Sequence, residues 1–121
     1  MEQLTNRLMT NCTEFLTARK DLLQAELRNI EVTEQIAQLE FKARKAVLSA
    51  VDENGKALYS NEEKRSVAVK ESLSTDTEYA KLSQELKELN GSIMSLKATI
   101  EMAKYEKSVL QSLIEVQNDN N

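Results

Sequence analysis

The chain has 121 residues, a net charge of -4, and no proline, tryptophan or histidine. Its two glycines and its lack of proline remove most turn chemistry, which excludes folds built from many short elements. Without histidine the most common general base is missing, the single cysteine has no histidine to activate it, and no zinc ligand set is available.

The expected fold is all-α, in one helical domain over residues 1–121. Only 4% of residues are aromatic and 30% are charged. Such a chain buries Leu, Ile, Val and Ala along packed helices rather than around an aromatic core.

The first predicted helix covers residues 3–51, about 74 Å at the usual helical rise. Steps of three and four residues mark Leu4, Leu8, Asn11, Phe15, Ala18, Leu22, Ala25, Asn29, Val32, Ile36, Leu39, Ala43, Ala46 and Ala50. This heptad repeat predicts a seam that winds around a partner helix. Asn11 and Asn29 interrupt it, either buried to set register or half-exposed at the seam's edge. A second apolar stripe holds Met9, Cys12, Leu16, Leu23, Leu27 and Ile30. Cys12 on that stripe reads as a small buried hydrophobe.

A turn is expected over residues 52–60. Asn54-Gly55 favours positive φ, and Gly55 suits the position just past a helix end. A twelve-residue calcium loop starting at Asp52 would use Asn54 and Glu63, but Lys56 and Ala57 stand where an oxygen ligand and a glycine belong. Ser60 and Glu63 have capping-box spacing, so a short helix is expected over 61–72. The alternation in "SVAVK" at 66–70 would also allow a strand. Thr75 and Glu78 repeat the capping spacing ahead of a long helix over 76–117, with a frayed tail at 118–121. Its seam runs Tyr79, Leu82, Leu86, Leu89, Ile93, Leu96, Ile100, Ala103, Lys107, Leu110 and Ile114, passing through Gly91. A second stripe holds Ala98, Met102, Tyr105, Val109, Leu113 and Val116.

Two long helices around one breaker region predict an antiparallel hairpin. Its open end would be apolar on more than one side, since a helix with a single partner needs only one stripe. The expectation is a homodimer, closed as a four-helix bundle through Leu16, Leu23, Leu27, Ile30, Met102, Tyr105, Val109 and Leu113.

Charge is uneven. Residues 1–41 and 73–121 each sum to -3, while residues 42–72 sum to +2. The candidate partner-binding residues lie in this basic middle: Lys56, Tyr59, Asn61, Lys64 and Arg65. Five interspersed acids and few aromatics make single-stranded nucleic acid a third choice there. No metal, cofactor or membrane span is expected, and the start lacks a signal-peptide pattern, so a cytoplasmic, non-enzymatic protein is the reading.

The segment with Gly55, Lys56, Tyr59, Ser60, Asn61, Glu62, Glu63, Lys64 and Arg65, followed by Asp76, Glu78 and Tyr79, resembles small coiled-coil proteins of temperate phages and prophages of low-GC Gram-positive bacteria. The likeness covers about residues 50–116. It implies an accessory role beside early phage genes for replication, recombination or host takeover, with a protein partner in DNA metabolism or host defence. A looser likeness, in paired long helices alone, is to phage host-nuclease inhibitors. The alternative to a specific binder is a structural coiled-coil module for spacing or assembly.

Overall fold

The computed structural model describes residues 1–120 and is all-α. Three helices follow in order: α1 (Glu2–Ser49), α2 (Glu62–Ser74) and α3 (Thr77–Asp119). Residues 66–70 are therefore helix, not strand. Asn118 and Asp119, expected to fray, continue α3, and Asn120 is a turn; residue 121 lies outside the described residues. Gly91 is helical, with open space where a Cβ would stand.

The chain divides into two compact units. The first comprises Met1–Leu27 and the chain from Leu89 onward; the second is Arg28–Glu88.

In the first unit, α1 and α3 pack antiparallel. Asn11 donates from Nδ2 to the Ala103 carbonyl at 3.0 Å, and Arg7 donates to Glu106. Ala18, Ile100, Ala103 and Leu110 are buried on the contact line, as the heptad predicts. Small side chains at 18 and 103 permit close approach of the two backbones. Asn11 is buried, at 1% exposure, and not half-exposed at the seam's edge. Its Oδ1 has no hydrogen-bond partner among the described residues. Two details of the seam differ from expectation. Glu106, paired with Arg7, is half-buried, whereas Lys107 beside it is exposed. Cys12 is exposed rather than buried, since it sits one residue off the contact line.

In the second unit, the later part of α1, α2 and the first turns of α3 pack together. Val32, Ala43, Val47, Ala68 and Leu82 are buried. The seam passes through Val47 instead of Ala46, because a larger apolar side chain is available one position on. Asn29 is half-buried. Arg28 grips Glu85 with two hydrogen bonds, Nε to Oε1 at 2.7 Å and Nη2 to Oε2 at 2.9 Å.

The connection after α1 is more ordered than a plain helix stop. Helix α1 ends two residues earlier than expected, and Val51 and Ala57 form an antiparallel bridge. The Leu58 N–H donates to the Ala50 carbonyl at 3.0 Å, and the Asp52 N–H to the Lys56 carbonyl at 2.8 Å. Gly55, at φ +78°, closes this small hairpin after an Asp52–Gly55 turn. It has the positive φ expected, but in a β-type loop rather than at a helix end. Asp52 Oδ1 accepts the N–H groups of Asn54 and Lys56 at 2.8 and 3.0 Å. The helix starts also shift by one residue. Asn61, not Ser60, caps α2, its Oδ1 accepting the Lys64 N–H at 2.8 Å. Asp76 caps α3 by accepting the Tyr79 N–H at 3.1 Å, while Thr75 ends α2. In both places two adjacent residues can cap; Asp outranks Thr as a cap, whereas Asn and Ser rank alike, so at α2 the backbone path into the helix decides.

Two outcomes follow for stability. Gly55→Ala should lower unfolding free energy by about 1–2 kcal/mol, the usual cost of left-handed backbone with a Cβ, and Gly55→Asn by less. Asn61→Ala should cost about 1 kcal/mol through loss of the cap, whereas Ser60→Ala should cost little. Urea denaturation followed by circular dichroism measures both.

Candidate functional site

The second unit carries a groove between the end of α1 and α2. Helical spacing on α2 puts Glu62, Arg65, Ser66, Val69 and Lys70 on one face, steps of three and four apart. Arg44, Val47 and Leu48 form the facing wall from α1. The floor is apolar, from buried Val47 and half-buried Val69, and exposed Leu48 adds an apolar edge. Three cations, Arg44, Arg65 and Lys70, rim it against one acid, Glu62. Arg44 and Lys70 are exposed; Arg65 is half-buried and its Nη1 lies 3.4 Å from the Tyr59 carbonyl, to which it donates. Leu48 is 66% exposed, an apolar side chain of that size left in solvent.

A second hollow borders α2 on its other side, lined by Leu58, Tyr59, Asn61, Lys64, Val67 and Glu71 among others. Here the cation is Lys64 and the acids are Glu63 and Glu71, so no single sign prevails.

The expected partner-binding residues therefore separate by task. Asn61 holds the start of α2, and Arg65 bridges helix and loop while still facing the cationic groove. Tyr59 is half-buried and lines the mixed hollow with Lys64. Lys56 is exposed on the hairpin loop, in neither groove. The sequence reading passes over Arg44, Leu48, Val69 and Lys70. Helical spacing could have grouped Val69 and Lys70 with Arg65 on α2, but nothing in the spacing brings Arg44 and Leu48 of α1 to them.

Among the described residues no group of three Cys, Asp or Glu side chains is placed to hold a metal ion. Asp52, the first position of the calcium-loop spacing, spends Oδ1 on its own turn. No described helix is long and apolar enough to cross a membrane.

The first unit contributes exposed apolar stripes. On α1, Met9, Leu16, Leu23 and Leu27 are each more than half exposed. On α3, Met102 and Tyr105 are 73% and 75% exposed, with Val109, Leu113 and Val116 beyond them. Ile30 continues the α1 stripe in the second unit. All eight residues expected to mediate oligomerisation are thus open in the single chain.

Within each unit an ion pair joins α1 and α3. The Arg28 guanidinium, by direct hydrogen bonding, holds the Glu85 carboxyl below its ordinary range, and Arg7 does the same to Glu106. Comparison of the chain with protein-family models, curated proteins and solved structures finds no match.

A pH dependence follows. A carboxyl whose folded pKa is depressed adds stability that is present above its unfolded value and is lost as pH falls through the folded value. Stability should therefore fall below about pH 4, the ordinary carboxylate range. In Glu85→Gln the drop in melting temperature between about pH 7 and about pH 3 should shrink, because its linked proton is gone. Thermal melts of both proteins across that range measure it.

Proposed function

We propose that this is a non-enzymatic, phage-type accessory protein that binds an acidic segment of a protein partner in DNA replication, recombination or host defence, acting there as adaptor or inhibitor. In this reading the chain is a long antiparallel helical hairpin of coiled-coil type, and the groove between α1 and α2 supplies the contact. The observation that carries it is the groove's make-up: an apolar floor under Arg44, Arg65 and Lys70, with only Glu62 opposing them. An apolar floor supplies affinity and the cationic rim selects an acidic ligand and its orientation. A partner supplying Leu- or Phe-type side chains between carboxylates matches both. The phage setting rests on the sequence resemblance alone.

A second reading is favoured by the exposed stripes of the first unit. It is a structural module that associates with itself, in its simplest closed form a two-fold dimer, to space or assemble other components. The two readings assign function to different surfaces. Direct binding of single-stranded nucleic acid at the basic middle is the third, and it would weaken steeply with salt.

The test uses Arg44→Glu/Lys70→Glu, which reverses two exposed charges and leaves the caps intact. Affinity capture from nuclease-treated host lysate should return a dominant protein with the unaltered chain and lose it with the variant, at unchanged helix content. Measured with that purified protein, affinity should fall at least about tenfold. A partner retained by this variant but lost with Leu16→Gln or Tyr105→Gln would overturn the groove in favour of the structural module.

A further inference from the structure

The apolar stripes of the first unit lie on opposite flanks of the helix pair, and each is set beside charge from the other helix. Cys12 and Glu14 fall on either side of the Asn11–Phe15 contact line of α1, by the 100° step of the helix. Lys104 and Glu106 fall on either side of Ala103 in the same way. Two packed helices leave two grooves, and these residues divide between them. One groove combines Cys12, Phe15 and Leu16 of α1 with Lys104 and Lys107 of α3. The other combines Met102 and Tyr105 of α3 with Glu14 of α1 and with Glu106. Further along α1, Glu14 and Asp21 line an adjoining hollow with Thr17 and Thr99. Local ion pairs moderate this pattern without reversing it: Arg7 is shared by Glu106 and Glu14, and Lys104 lies 3.3 Å from Glu101.

We propose that copies of this chain associate head-to-tail, the apolar-cationic flank of one seated on the apolar-acidic flank of the next. Laying the α1 stripe of one copy against the α3 stripe of another brings Lys104 and Lys107 toward Glu14 and Asp21. The apolar surfaces and the charges are then satisfied together. A two-fold contact does the opposite. It would pair a flank with the same flank, so Lys104 and Lys107 would meet no Glu14 or Asp21, and like charges brought close across the axis are costly. A head-to-tail contact between opposite flanks leaves one free flank at each end, so it grows into a filament or closes as a ring of three or more. The occupant is a second copy because the chain itself supplies both the shape and the charge that each flank lacks. The inference rests on the self-association reading above and fixes its symmetry.

Charge reversal tests it. One variant is Lys104→Glu/Lys107→Glu and the other is Glu14→Lys/Asp21→Lys; all four side chains are exposed, and circular dichroism checks that helix content is kept. Sedimentation velocity is run over rising protein concentration at low and high salt. The unaltered chain should exceed the mass of two copies. Each variant alone should associate at least about tenfold more weakly. An equimolar mixture of the two should recover assembly, because each now offers the flank the other needs. A single chain at every concentration overturns all self-association. A closed two-copy species that ignores the reversals, or variants that the mixture fails to rescue, overturns the head-to-tail contact while leaving a two-fold dimer standing.

Discussion

Two helices lying side by side touch along one line, and nearly everything else about this protein depends on that constraint. Burial between α1 and α3 falls along the line, on Ala18, Ala103, Ile100 and Leu110 in one unit and Val32, Ala43, Val47 and Leu82 in the other, where α2 adds Ala68. A side chain one step off the line is in solvent however apolar it is. Cys12 and Leu16 show this beside buried Asn11 and half-buried Phe15. A chain this sparing of core leaves its specificity to a few polar contacts. Arg28 on Glu85, Arg7 on Glu106 and Asn11 on Ala103 each tie one helix to another at a stated register.

The seam was legible in the sequence because its period is a property of the helix itself. Twelve of the fourteen positions marked from Leu4 to Ala50 are apolar, and Val47 in place of Ala46 is a single exchange within a turn. The exposed stripes were legible for the same reason. Cap identity was less so. "YSNEE" and "STDTE" each offer two capping residues in succession, and the backbone path into the helix decides between them. The hairpin around Gly55 was half legible: Asn54-Gly55 announces positive φ, but pairing of Val51 with Ala57 depends on hydrogen bonds that no periodicity encodes. The cationic groove was the least legible. Its residues come from two helices, and their meeting is a fact of packing, not of spacing.

Charge has two uses in this molecule. Arginine does the pairing between helices, where a planar fork can hold a carboxylate by two hydrogen bonds. Lysines lie mostly on the outside: Lys104 and Lys107 beside the α1 stripe, Lys70 at the rim of the groove. The acidic total of the chain therefore hides basic surfaces that stand next to apolar ones.

Asn11 reaches the main-chain carbonyl of residue 103, and not a side chain. The bond therefore asks nothing of the chemistry at 103, only that the residue be small enough to let the amide arrive. Over generations the two positions should drift under unlike rules. Position 11 is held by chemical identity, since a near-isostere such as Asp or Leu has no amide N–H to give. Position 103 is held by volume, and Gly or Ser would satisfy it as Ala does. An isolated polar residue in an apolar seam can thus persist through divergence without a covarying partner.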